Sequence, residues 1–250
     1  MRAIRIVLRA AAGGAAALAL LALIGYGMVS ATPSQYRPAR LTLEQQDQAM
    51  RAFINHITDF GDKAGAGRPF AWTITDRQAN SYLAAMDAIA SLPFDRRVEP
   101  SGRLARQGLA EPALAFNGGM ITVMARSTRH DKVFSADLAL EFDGQGRLTA
   151  RVVAVRVGVM PIPRAWVQAA LAGFRAQAAA GLTDAGRLND ASLGPVPYSR
   201  FAQFLGKVLD LLGGQPVRPE VVWPLGRHRV LVERLESAGG QLIVHAVPAR

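Results

Sequence analysis

The side chains that could titrate near neutral pH are few: histidines stand at positions 56, 130, 228 and 245, and no cysteine is present. Neutral imidazoles are the commonest zinc ligands, but zinc needs three or four ligands converging from spacings that one helix face or one strand pair can supply. His56 falls on a predicted helix with no ligand four residues on, and His130 falls in a loop. His228 and His245 fall in adjacent predicted strands, where solvated or hydrogen-bonded imidazoles are the expected reading. Serine chemistry requires a base to activate the hydroxyl. No Gly-x-Ser-x-Gly elbow occurs, and nothing assembles into a triad. Gly118-Gly119 and Gly213-Gly214 lack the Lys-Ser/Thr that follows a phosphate-cradling loop, so they are predicted turns. Glu99, Glu111, Asp137, Glu141 and Asp143 are available for an acid pair of the glycoside-hydrolysing kind, which spacing alone cannot define. Most of them read as solvated turn or strand residues. No catalytic group, metal or cofactor is predicted.

What the sequence offers instead is apolar surface. In Met120–Ala125 one strand face carries Met120, Thr122 and Met124, and the other Ile121, Val123 and Ala125. In Val152–Val159, Val153, Val155, Val157 and Val159 oppose Val152, Ala154 and Arg156. A sheet with one solvated face alternates cleanly. Two apolar faces therefore predict either helices on both sides or a face lining an apolar groove. The groove would be built from Met120, Val123, Met124, Val155, Val157, Met160, Ile162 and Trp166, with Arg151 and Arg156 placed for an anionic headgroup. Met suits irregular apolar ligands, and it suits an ordinary core equally well.

The elements that would carry these residues follow from periodicity and turn chemistry. Thr42 caps a predicted helix to about Asp62, with Leu43, Met50, Phe53, Ile54, Ile57 and Phe60 as its apolar stripe. A short strand, Phe70–Ile74, enters the capping box Thr75-Asp76-Arg77-Gln78, and a helix runs on to about Ala90. Residues 93–111 read as irregular. Strands Ala113–Phe116, Met120–Ser127, Lys132–Phe142 and Arg147–Val159 are separated by Asn117-Gly118-Gly119, Thr128–Asp131 and Asp143-Gly144-Gln145-Gly146, which predicts an antiparallel meander. Pro161 and Pro163 end it, and a helix from Pro163 to Ala180 turns Trp166, Val167, Ala170, Leu171 and Phe174 inward. A loop, a helix over Tyr198–Leu212 and the strands Val217–Trp223, Arg227–Glu236 and Gln241–Val247 complete the chain, the last two forming an exposed hairpin.

The N-terminus locates the chain. Arg2, Arg5 and Arg9 precede an uncharged apolar run from Ala10 to Val29, long enough for a bilayer core of about 30 Å. The basic flank predicts an inside N-terminus. A cleaved signal peptide is the alternative, with Val29-Ser30-Ala31 as its cleavage site. Residues 1–9 are then a cytoplasmic stub, 10–29 the anchor, 30–41 a polar linker punctuated by proline, and 42–250 an extracytoplasmic domain on a bacterial inner membrane, facing periplasm or exterior. Without cysteine it has no disulfide staples. The net charge of +10 invites nucleic acid, but the charges are scattered and the compartment is wrong. A basic domain beside anionic lipid is drawn to it in a salt-sensitive way.

Two stretches carry a resemblance. Thr73-Ile74-Thr75-Asp76-Arg77-Gln78-Ala79-Asn80-Ser81-Tyr82-Leu83 resembles a Gln-x-Asn-x-Tyr-Leu helix start, and Val155-Arg156-Val157-Gly158-Val159-Met160-Pro161-Ile162-Pro163 resembles a strand ending in Gly-x-Leu-Pro-Leu-Pro, with Met160 and Ile162 in place of the leucines. Both belong to YpmS-like single-anchor bacterial surface proteins, and the order of elements over residues 70–175 is similar. The resemblance implies an architecture like that of small tubular lipid-binding domains, in which a twisted antiparallel sheet wraps a long helix. It assigns no activity.

The expected fold is α+β: an antiparallel meander packed on amphipathic helices behind one transmembrane helix. The expected role is a non-enzymatic module binding a lipid or another apolar envelope component. A structural adaptor in an envelope complex and a cell-wall glycan enzyme are the alternatives. Expected partners are the membrane and a lipid or envelope protein, not nucleic acid.

Overall fold

A computed structural model of the chain describes residues 22–91, 100–169, 192–193, 196–197, 210–211, 214–222 and 229–249. The fold is α+β with antiparallel sheets. Helix α1 (Leu43–Gly65) starts where expected: the Thr42 hydroxyl accepts from the Gln45 backbone, and the Gln45 side chain accepts from the Thr42 N–H at 2.9 Å. Its apolar stripe is shorter than predicted. Leu43 is 82% exposed and Ile54 is exposed, because the helix meets a sheet through its C-terminal half, where His56 lies on Trp72 and Phe60 and Ala64 lie on Val230 and Ala246.

Strand β1 (Phe70–Thr75) leads through a second capping box, Thr75 with Gln78, into α2 (Asp76–Ala84). The predicted single helix breaks at Ala85 and resumes as α3 (Met86–Ser91). Part of the stretch read as irregular is helical, α4 (Pro100–Arg106). The Asp87 carboxylate accepts from the Ser101 backbone N–H at 2.8 Å and from its hydroxyl, giving the first turn of α4 a capping partner distant in sequence.

The meander forms a five-stranded sheet in sequence order: β2 (Leu109–Asn117), β3 (Met120–Ser127), β4 (Val133–Phe142), β5 (Leu148–Val157) and β6 (Met160–Pro161). Strands β7 (Ser192–Leu193) and β8 (Val196–Pro197) pair with each other. A four-stranded sheet joins β9 (Glu220–Val222), β10 (Arg229–Ala238) and β11 (Gln241–Pro248) to β1, in the order β1-β11-β10-β9. The C-terminal hairpin is therefore not exposed as expected. Phe70 faces Ala246 and Trp72 faces Val244 in register, so the hairpin forms the interior of that sheet. The two sheets meet at their turns, where the Gly119 N–H donates to Ser237 O at 2.7 Å and the Gly240 N–H to Phe116 O at 3.0 Å.

Strand β2 is an edge, and open edges invite pairing with other chains. Asn80 of α2 covers it: its amide donates to Leu114 O at 3.0 Å and its oxygen accepts from the Leu114 N–H at 2.6 Å.

Residues 22–30 are helical. Among the described residues no helix is long and apolar enough to cross a membrane, and residues 10–21 of the predicted span lie outside them. The segment expected as a polar linker is instead a strap on the meander sheet. Tyr36, 7% exposed, packs with Ala113, Ala115, Met124 and Val133. Residues 164–169 begin the helix after Pro163; Val167, predicted inward, is half-buried, whereas Trp166, also predicted inward, is 72% exposed. Ala170, Leu171, Phe174 and nearly all of Tyr198–Leu212 lie outside the described residues.

Candidate functional site

Register sorts the meander into two faces, because direct partners across antiparallel strands share a side. Leu114, Val123, Ala136 and Val155 form one row, and Ala125, Phe134 and Val157 the next on the same side. Met160 pairs with Val157 and continues it. The other side carries Ala113, Met124, Ser135 and Arg156 in one row, and Ala115, Thr122, Asp137 and Ala154 in the next.

Burial is opposite to what side-chain size leads one to expect. The face bearing alanines and polar groups is the covered one, with Ala113, Ala115, Met124, Thr122, Ser135 and Asp137 all buried. The face bearing the large aliphatics is half-open over its centre, where Val123 is 41% exposed and Phe134, Ala136, Leu138, Val155 and Val157 are half-buried, while Phe116 at its β2 end is buried.

The predicted groove is consequently not one surface. Val123, Val155, Val157 and Met160 share the open face. Met120 and Met124 lie on the other, Met124 1% exposed beneath Tyr36. Ile162 is tied to the sheet by its N–H to Val155 O at 2.8 Å, and Trp166 lies beyond it. Nor do the arginines flank the valines. Arg156 and Arg151 lie on the covered side in register with Ser135 and Ala139. Arg156 pairs with the Asp137 carboxylate at 2.6 Å, and Arg151 with Glu141 at 3.0 Å. Clefts of about 590 Å³, beside Ala71, Arg234 and His245, and about 250 Å³, beside Met86, Leu104 and Leu109, contain none of the predicted groove residues.

The acids are held by arginine. Asp137, read as solvated, is buried and also accepts from the Thr122 hydroxyl at 2.9 Å. Asp143 closes its turn on Arg147 at 2.8 Å, and the backbone N–H of Arg147 holds its carboxyl below the usual range. Glu111 pairs with Arg40 of the strap at 2.8 Å and with Arg126 at 3.1 Å. Its φ of 48° is left-handed, a conformation a side chain rarely adopts, at the bulge where β2 loses register with β3. Tyr36 donates to the Glu111 carbonyl at 2.8 Å, and Arg126 reaches Asp131 at 2.8 Å. Burial pushes the Tyr36 phenol up, with Arg126 pulling against it, while Arg126 holds the Asp131 carboxyl down. The cluster locks the strap to the sheet. Glu99 lies outside the described residues.

His56 has no free nitrogen. Nε2 lies 3.0 Å from Thr73 O and Nδ1 3.1 Å from the Tyr82 hydroxyl, while the ring lies 4.3 Å from that of Trp72. Since a carbonyl only accepts, Nε2 carries the proton. Burial raises the Tyr82 phenol. His245 lies 3.2 Å from Glu236 and 3.3 Å from Arg234, and His228 is outside the described residues. Among the described residues no group of three or more His, Asp or Glu could hold a metal ion.

Sequence reasoning missed two positions. Tyr36 is a lone aromatic between prolines, a signal that was present. Gly158, noted in the sequence only as part of the motif before Pro161, has φ +60°, and a Cβ there would stand 2.5 Å from both Met28 O and Val29 O, a crowding that only the fold reveals. No family model, curated protein or solved structure matches the chain.

Proposed function

We propose that this is a membrane-anchored, extracytoplasmic, non-enzymatic module of the bacterial inner membrane, and that the open face of its five-stranded sheet receives the acyl chain of an envelope lipid. The observation that carries the reading is the inverted burial: polar and small side chains are covered while Val123, Phe134, Val155 and Val157 stand partly open. Apolar patches of this kind mark interaction surfaces. Covering them returns about 25 cal/mol per Å², so 100 Å² of acyl chain gains about 2.5 kcal/mol.

The retained anchor, rather than the cleaved signal, is favoured by contacts that cleavage after Ala31 would remove. The Val159 N–H donates to Met28 O at 2.9 Å, and Lys132 Nζ donates to the Ser30 hydroxyl at 2.8 Å and lies over the Tyr26 ring. The resemblance to YpmS-like proteins agrees with this arrangement.

A protein partner on the same face is the second reading, since half-open Val123, Phe134, Val155 and Val157 suit a protein surface as well as an acyl chain. Native mass spectrometry of the full, delipidated chain with added phosphatidylglycerol separates the two. The lipid reading expects adducts at fixed stoichiometry. A mass that never changes overturns it.

A further inference from the structure

We infer that the β5–β6 end of the domain rests on the bilayer itself, with Val159, Met160 and Trp166 set into the boundary between headgroups and acyl chains. This rests on the reading of the N-terminal helix as an anchor.

The argument is one of continuity. The last turn of the apolar N-terminal helix does not hand over to a free tether. Met28 O accepts from the Val159 N–H at 2.9 Å, and the Met28, Val29 and Ala31 carbonyls crowd the space that a Cβ on Gly158 would need. A helix spanning a bilayer delivers its last turn to the interface, so the turn bonded to it lies there too. Val159 and Met160, in the turn itself, are 41% and 40% exposed, and Trp166, on the helix that follows β6, is 72% exposed, all side chains of the kind the interface accepts. Tryptophan favours this depth because its ring is apolar and its N–H is wet. Exposed Arg129, in the β3–β4 turn at the same end, stands where phosphates would meet it.

The geometry also orients the domain. Strand β4 spans ten residues from that end to the turn at Asp143–Gly146, about 30 Å away. Met160, in register with Val157, begins the open sheet face, so that face starts at the bilayer and an acyl chain could pass onto it without crossing water.

Because the chain has no cysteine, single cysteines at exposed positions report this directly. V159C, M160C, W166C and Q145C, each labelled with nitrobenzoxadiazole in the full chain, are reconstituted into phosphatidylethanolamine/phosphatidylglycerol vesicles, with far-UV circular dichroism confirming each fold. The first three labels should shift to the blue and be quenched by nitroxide-bearing lipid, and the label at 145 should do neither. A chain that floats with vesicles while all four labels read as water-exposed overturns the seating and leaves the anchor standing. A chain that does not float at all overturns the anchor and the seating with it.

Discussion

Gly158 and Met28 are in backbone contact: a Cβ on Gly158 would lie 2.5 Å from the Met28 carbonyl oxygen, the same oxygen that accepts from Val159 N–H at 2.9 Å. Gly67 shares its left-handed φ, at +66°, but has nothing within 4 Å of where a Cβ would be. The pair separates conformational strain from crowding. Gly67→Ala should lower unfolding stability by about 1–2 kcal/mol, the left-handed penalty alone. Gly158→Ala adds displaced backbone, about 1–3 kcal/mol more, and should speed hydrogen exchange in residues 28–31. Equal losses in urea titrations would contradict the contact.

Asn80, 6% exposed, forms two hydrogen bonds to the Leu114 backbone and stands where a sixth strand would. Asn80→Ala strips both bonds and should cost about 2–3 kcal/mol. It also uncovers the β2 edge, so light scattering should detect self-association that the parent lacks. A destabilised but strictly unassociated variant would show that the edge is protected by something else.

The strap is held by two kinds of contact whose magnitudes differ. Arg40 pairs with Glu111 at a side chain 75% exposed, and such pairs contribute about 0–1 kcal/mol. Burial of the Tyr36 ring should contribute about 3–5 kcal/mol. Tyr36→Ala should therefore loosen residues 31–41 in hydrogen exchange and lower the melting temperature, while Arg40→Ala changes either one little. The reverse ranking would mean that the strap is held electrostatically.

Both Tyr36 and Tyr82 have phenol pKa values raised above the ordinary 10.0, chiefly by burial. A raised folded-state pKa means that the native state binds more protons than the unfolded state between the two values, so stability is complete below about pH 10 and falls as pH rises through the folded pKa. Melting temperature followed from pH 8 to 12 should decline above about pH 10. The decline should be shallower in Tyr36→Phe/Tyr82→Phe, and an identical slope would contradict the burial of these phenols.

What could be read in advance was local. Thr42 and the Thr75–Gln78 box start helices because their side chains satisfy backbone donors within four residues, and Asn117-Gly118-Gly119 turns because both glycines take positive φ. The meander follows from those turns and the alternation between them. What could not be read depends on contacts distant in sequence. Strand β1 finds β11 across most of the chain, and Tyr36 finds Met124. Alternation separated Val123 from Met124, but two apolar faces look alike until a strap covers one of them. Arg156 likewise read as a headgroup ligand because its partner, Asp137, is adjacent only through the register of β4 with β5.

The most direct test of the account is photo-crosslinking in the living envelope, with p-benzoylphenylalanine placed at Val123 or Val155 on the open face and at Gln145 in the exposed turn at the far end of the sheet. The account predicts a lipid adduct, found by mass spectrometry of the chain, at positions 123 and 155 and not at 145. Crosslinks to protein alone at 123 and 155, or no adduct distinguishing them from 145, would contradict it.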